Sequence, residues 1–243
     1  MNFIDTHCHL LPGIDDGAVT LDQSLAMARA AVDDGIRYAV MTPHIHPGRY
    51  DNTRTSIERA TRDFRRALRQ KRIPLQIGMA AEVRLSPDIL QMLGEDDIPF
   101  YGELDGFKLM LLEFPHSHIP PGSDKLVDRL IKQGVRPTIA HPERNKDVIR
   151  DIHKIEPFID MGCFLQLTAS AVAGRFGDDA HTCALEILKM DVFKILASDA
   201  HNLKARRPEL SGGRDAAEAI LGKSAADDLV TTNPRMISRS QFE

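Results

Sequence analysis

Cysteine is scarce. Only Cys8, Cys163 and Cys183 occur in 243 residues. An odd, widely spaced set excludes a disulfide framework and a thiolate-rich zinc site, and it suits a reducing cytoplasm. No run of ~18 or more apolar residues exists, so no membrane insertion is expected. The first nine residues lack both a basic stretch and an apolar stretch, so no signal peptide is expected. Basic charge is not in excess either: 31 Lys and Arg stand against 35 Asp and Glu, a formal net charge of −4. That balance, without a basic groove interleaved with aromatics, argues against a nucleic-acid partner. No repeat, low-complexity tract or Ser/Gly/Pro-rich linker divides the chain, so 1–243 reads as a single domain. With 42% apolar residues it has ample core. What stands out is histidine, of which there are ten.

Short apolar runs alternate with longer amphipathic ones. The apolar runs at 2–6, 38–42, 75–80, 107–112, 137–140, 163–168 and 192–197 have the length of buried strands. Between them, 21–34, 53–71, 124–133, 146–161 and 179–190 carry helical spacing. In 53–71, Ile57, Ala60, Phe64 and Leu68 share one face. Gly35, Gly134 and Gly162 stand where helix C-caps belong. Seven strand–helix units mean an α/β fold with parallel strands and helical crossovers. Periodicity alone fits both an open doubly wound sheet and a barrel.

The strand ends separate the two. The first run leads into Asp5, His7 and His9, which period two places on one face. The second leads to His44 and His46, the third to Glu82, the fourth to Glu113, the fifth to His141 and Arg144, the seventh to Asp199 and His201. Only the sixth, ending Gln166-Leu167-Thr168, lacks a His or an acid. A lone histidine after a strand is ordinarily a hydrogen-bonded structural residue. Ligand types at six of seven ends are a different matter: in a barrel these ends converge on one mouth, in an open sheet they spread along a line. A seven-stranded barrel is therefore expected.

Together with Asp16, this ring offers five imidazoles (His7, His9, His44, His141, His201) and four carboxylates (Asp16, Glu82, Glu113, Asp199), with no sulfur. Nine ligands exceed the needs of one ion and suit two or three divalent metals. The mixed N/O set fits Mn, Fe, Co or Zn. A metal cluster lowers the pKa of bound water from 15.7 to about 7. Arg144 and Arg206 flank the ring, and a guanidinium fork matches phosphate oxygens. Phosphate-ester hydrolysis is the reaction class that follows. Arg207 adjoins Arg206, and the sequence leaves the choice between them open.

Asp5-Thr-His-Cys-His9, Pro12-Gly-Ile-Asp-Asp-Gly17, Thr42-Pro-His44, Gly78-Met-Ala-Ala-Glu82, Leu112-Glu-Phe114, Ala140-His-Pro-Glu-Arg144 and Ser198-Asp-Ala-His-Asn202 follow in that order. Their order and spacing resemble the polymerase-and-histidinol-phosphatase (PHP) superfamily. The closer resemblance is to its bacterial protein-tyrosine phosphatases linked to capsule and exopolysaccharide synthesis. The likeness covers nearly the whole chain. It implies a distorted (β/α)7 TIM-like barrel, the PHP fold, and a metal cluster, usually of Mn. It implies one ion among His7, His9, Glu82 and Asp199, a second among Glu82, Glu113 and His141, and a third among Asp16, His44 and His201. Arg144 and Arg206 would grip the phosphoryl group. The implied substrate is phosphotyrosine in the Tyr-rich tail of a membrane tyrosine autokinase that controls polysaccharide export. The alternative is a small-molecule phosphatase such as histidinol-phosphate phosphatase.

Several residues fall outside the matched set. His46 is a candidate proton donor, while His116 and His118, on a Pro-rich loop, are expected at the rim. Asp5 is expected to orient a ligand imidazole, and Cys8 to be a buried thiol facing away from His7 and His9. Tyr50 and Phe176, on rim loops, are candidates to stack on a substrate ring. A cysteine-dependent tyrosine phosphatase needs Cys, five residues, then Arg; the residues six on from the three cysteines are Ile14, Ala169 and Lys189, so any such activity here must be metal-based.

Overall fold

The computed structural model describes residues 2–243. Its strands are β1 (Phe3–Cys8), β2 (Ile36–Met41), β3 (His44–Ile45), β4 (Gln76–Met79), β5 (Glu82–Arg84), β6 (Glu103–Leu104), β7 (Phe107–Glu113), β8 (Val135–Ala140), β9 (Phe164–Thr168) and β10 (Lys194–Ala197). The helices are α1 (Leu21–Asp34), α2 (Arg54–Gln70), α3 (Ile89–Gly94), α4 (Ser123–Lys132), α5 (Lys146–Arg150), α6 (Glu156–Asp160), α7 (Ala169–Val172), α8 (Asp178–Lys189), α9 (Ser211–Leu221), α10 (Lys223–Asp228) and α11 (Thr232–Ser238).

Two ladders form, β1-β2-β4 and β10-β9-β8-β7-β5-β3, parallel except for the short β6 on β7. They belong to one ring of seven chain runs. β2 and β3 are successive pieces of one run, interrupted at Thr42-Pro43, and β4 and β5 are pieces of the next. Proline has no N–H to give the ladder. Ala80 N instead reaches Met41 O at 2.8 Å and Glu82 N reaches Pro43 O at 3.1 Å, carrying the pairing across the break.

Among the described residues the ring meets itself only at the mouth. There Cys8 bridges Ala200, His9 N donates to Ala200 O at 2.9 Å, and Asp199 N donates to His7 O at 2.8 Å. Lower down, β1 and β10 do not pair. Ile4 N bonds Val230 O at 2.9 Å, and Leu196 N bonds Leu229 O at 3.0 Å. Buried backbone groups must find partners. The turn after α10 supplies them, and this wedge is what distorts the barrel.

Val40, Ala80, Leu109, Leu111, Ala140 and Ile195 form a small inner core with Tyr101 and Ile237. The Tyr101 hydroxyl donates to Thr6 O at 2.6 Å. The larger core lies between strands and helices. α1 starts at Thr20, whose side chain accepts from Gln23 N, and ends at Gly35. Gly35 has φ 103, a left-handed conformation a side chain would disfavour. α2 starts with a Thr53–Ser56 capping box and buries Ile57, Phe64 and Leu68. Burial of each such side chain contributes about 1.5–3 kcal/mol.

The sequence pattern for one helix over 146–161 is corrected. Asp151 is extended (φ −151), and its carboxylate accepts from His153 N, restarting the chain as a 3-10 turn between α5 and α6. Among the described residues, no helix is long and apolar enough to cross a membrane.

Candidate metal centre

The strand ends deliver their side chains to one buried cluster. His7 and His9 leave the end of β1, and each has its Nδ1 fixed from behind. His7 Nδ1 donates to Gln166 Oε1 at 2.7 Å, and His9 Nδ1 donates to Asp15 Oδ2 at 2.7 Å. Both acceptors hold a proton on Nδ1, which leaves Nε2 as a bare lone pair in the neutral ring. The two Nε2 atoms are 3.2 Å apart. Glu82 Oε2 lies 3.2 Å from each, and Asp199 Oδ1 lies 3.3 Å from His7 and 3.5 Å from His9. Glu82 Oε2 and Asp199 Oδ1 have no hydrogen-bond partner, and all four residues are buried.

Four lone-pair donors facing one point repel one another unless a cation joins them. The charge balance agrees. Burial alone would raise Glu82 and Asp199, but His7 and His44 around the first, and His7 and Arg206 around the second, hold both well below the carboxylate range. Burial alone would lower His7 and His9, but Glu82 and Asp199 raise the first and Asp15 raises the second. The cluster attracts positive charge at its centre, for which protons and a metal ion compete. The donor set therefore fits a divalent ion.

A second set adjoins the first. Asp16 Oδ1 lies 3.3 Å from His44 Nε2 and 3.3 Å from His201 Nε2, and His9 completes the group. His201 Nδ1 donates to Asp199 O at 3.0 Å, so its Nε2 also faces inward unprotonated. Burial and His9 lower His201 to about 4, keeping it neutral. Burial raises Asp16 less than the His201 and His44 imidazoles beside it lower it.

Around Glu113 two candidate groups overlap. Glu113 and His141 cluster with His116, while His44 joins Glu82 and Glu113. His141 Nε2 lies 2.8 Å from Glu82 Oε1, and Arg84 pairs with Glu113 at 3.0 Å. Burial and Arg144 lower His141 to about 3.

His141 (φ 34) and Asp199 (φ 50) are left-handed, a conformation costing a non-glycine residue about 1 kcal/mol or more. Each is held by its neighbour strand: His141 N donates to Gln166 O, and Asp199 N to His7 O, both at 2.8 Å. Gly17 has a different role. A Cβ there would sit 2.1 Å from His9 O, so only glycine lets the Asp15–Asp16 loop wrap the imidazole.

Arg144 and Arg206 both donate to Asp199 Oδ2, while Oδ1 is the oxygen that meets His7 and His9. Arg207 is exposed, whereas Arg206 turns to Asp199. Arg206 also lines a cavity of about 400 Å³ over the cluster, with His46, Tyr50 and Arg84 among its walls.

Several sequence expectations are corrected. Asp5 orients no imidazole; it accepts from Ser198 Oγ at 2.5 Å, Ser198 N at 3.0 Å and His7 N at 3.3 Å, bracing the backbone before Asp199. Asp15 and Gln166 take the orienting role. The signals were an adjacent acid pair and the one strand end with a carboxamide. His116 is exposed at the rim as expected; it also stacks on His141 at 5.2 Å and 16°, close enough to Glu113 to share an ion. His118 stays exposed and meets Ser117. His46 lines the cavity over the cluster, and burial, Arg84 and Arg49 lower its pKa. Tyr50 and Phe176 each have one face already occupied. Tyr50 lies parallel to His44 (5.4 Å, 12°), and Phe176 lies under the Arg144 guanidinium at 4.9 Å. Cys8 is buried with Sγ on Val40 O at 3.5 Å, away from the cluster, and burial raises its pKa.

A family model described as capsular polysaccharide synthesis, CpsB/CapC, matches residues 3–239. The tyrosine-protein phosphatase YwqE of Bacillus subtilis is 33% identical over 98% of this chain and 92% of its own length. The tyrosine-protein phosphatase CpsB of Streptococcus pneumoniae is 28% identical over 98% of this chain and 99% of its own. A crystal structure from work on YwqE and CpsB, described as unique metal-dependent tyrosine phosphatases, superimposes with TM-score 0.90. It is 33% identical, covering 98% of this chain and 95% of the other.

Proposed function

Because the chain belongs to the capsular polysaccharide synthesis CpsB/CapC family, we propose that it is a metal-dependent protein-tyrosine phosphatase, one metallophosphatase domain over 1–243. One observation carries the chemistry: two imidazoles with their Nδ1 protons fixed turn bare Nε2 atoms, 3.2 Å apart, toward two unpartnered carboxylate oxygens.

In this reading His7, His9, Glu82 and Asp199 hold one ion. Asp16, His44 and His201 hold another, and Glu113 and His141, with Glu82, hold a third. Two or three ions are involved, with Mn the first choice and Fe, Co or Zn the others. Bound divalent ions supply an acidified water and positive charge for the phosphoryl oxygens. Arg144 and Arg206, already aimed at the same carboxylate from one side, grip the phosphoryl group and stabilise charge on its oxygens. A phenolate leaving group, pKa about 10, departs without strong acid help. The three buried cysteines with raised pKa offer no nucleophile.

The named relatives favour phosphotyrosine over a small-molecule substrate. We place the protein in the cytoplasm, acting on the Tyr-rich tail of a membrane tyrosine autokinase in capsule or exopolysaccharide synthesis. The test compares p-nitrophenyl phosphate, a phosphotyrosyl peptide and histidinol phosphate, with Mn and with a chelator. Expected are Mn-dependent turnover of the first two, loss with chelator, and an inactive, folded, metal-poor His7→Ala protein. Full activity in metal-depleted His7→Ala would sink the proposal.

A further inference from the structure

The cavity over the metal cluster has a neighbour. Beyond His116, a second cavity of about 550 Å³ opens between α5 and the start of α8. His116 lines both, so the two adjoin across its side chain. One wall is rigid. Asn145 Nδ2 donates to Pro115 O at 2.7 Å, Lys146 N to His116 O at 2.8 Å, and Ile119 N to Asp147 Oδ2 at 3.0 Å, stitching α5 to the 115–119 loop. The facing wall is Phe176, itself pinned beneath Arg144. The lining thus joins an apolar strip, Ile149 and Phe176, to cations.

Two of those cations are little engaged among the described residues. Lys146 forms no ion pair among the described residues. Arg150 reaches only Asp147, at 3.5 Å, and that carboxylate already serves the Ile119 amide; the Arg150 side chain is 72% exposed. Asp179 is the sole acid in the lining. A phosphorylated side chain in the first cavity would leave the adjoining stretch of its polypeptide at the entrance of the second.

The geometry points to a substrate subsite here: Lys146 and Arg150 bind the carboxylate of an Asp or Glu flanking the phosphotyrosine, and Ile149 and Phe176 take its chain. This inference rests on the phosphotyrosine reading and adds the sequence preference. Neither residue touches the reacting phosphate.

The test uses the metal-loaded full chain, two phosphotyrosyl peptides differing only by Glu or Gln beside the phosphotyrosine, and p-nitrophenyl phosphate. The expected native enzyme has a KM about tenfold lower for the Glu peptide, a preference that fades with added salt. Lys146→Glu with Arg150→Glu removes or inverts that preference and leaves p-nitrophenyl phosphate turnover at the native level. Should that pair fail to fold, Lys146→Gln with Arg150→Gln replaces it and removes the preference. An unchanged KM ratio in the folded variant overturns the subsite while leaving the phosphatase reading intact. Turnover of p-nitrophenyl phosphate with none of either peptide overturns the phosphotyrosine reading, and the subsite with it.

Discussion

Gln166→Leu tests the geometry of the centre most directly, because Gln166 touches no candidate ion. Its Oε1 accepts from His7 Nδ1 at 2.7 Å in a fully buried setting. Leucine is of similar size and cannot accept. A metal-ligating His7 must keep its proton on Nδ1, so loading the variant with metal leaves that N–H buried and unpaired. The penalty is about 1–3 kcal/mol, or roughly 5- to 150-fold in metal affinity, in line with the about 10- to 100-fold typical of groups that orient ligands. A tenfold loss also removes about 1.4 kcal/mol of metal-induced stabilisation at a given metal concentration. The assay is a Mn titration in chelator-buffered solution, read by p-nitrophenyl phosphate turnover and by the metal-induced rise in Tm. The half-saturating Mn concentration should rise, and turnover at saturating Mn should largely recover. Gln166→Glu, which still accepts from Nδ1, should bind Mn at least as well as the native chain. A Gln166→Leu protein with unchanged Mn affinity would refute the fixed-tautomer argument.

Three further outcomes follow from the same geometry. Arg206→Ala should lower kcat by about 10²–10³, whereas Arg207→Ala, removing an exposed side chain, should stay near native; equal losses would contradict the choice of Arg206. Because His7 and His9 are raised above 6.5, protons compete for the ion's lone pairs, so Mn affinity should fall on acidification from pH 8 to pH 6, by about tenfold per pH unit for each proton displaced; direct binding at both pH values checks this, and a pH-independent affinity would contradict it. Gly17→Ala should reduce both Mn affinity and Tm, since its Cβ would meet His9 O at 2.1 Å and force the Asp15 loop away; native values for both would show that the loop yields.

Much of the centre is legible without coordinates. Each ligand type follows an apolar run, and strand alternation alone puts His7 and His9 on one side of the chain. Parallel strands all end at the same face, so His44, Glu82, Glu113, His141, Asp199 and His201 are brought together by topology, whatever the side chains do. The loop candidate Asp16 follows no apolar run, since no periodicity governs an irregular segment.

What sequence could not assign were choices between near-equivalent neighbours. Asp15 and Asp16 are adjacent acids, yet one fixes His9 from behind and the other faces His44 and His201. Arg206 turns to Asp199 while Arg207 turns to solvent. Gln166 reaches His7 across 159 residues, and His116 folds back over His141. The wedge of Leu229 and Val230 between β1 and β10 has no periodic signature either. Composition and periodicity are local, and they determined the strands, their order of chemistry and the metal-based route. Which atom meets which depends on loop paths and backbone partners distant in sequence, and only the folded chain decided those.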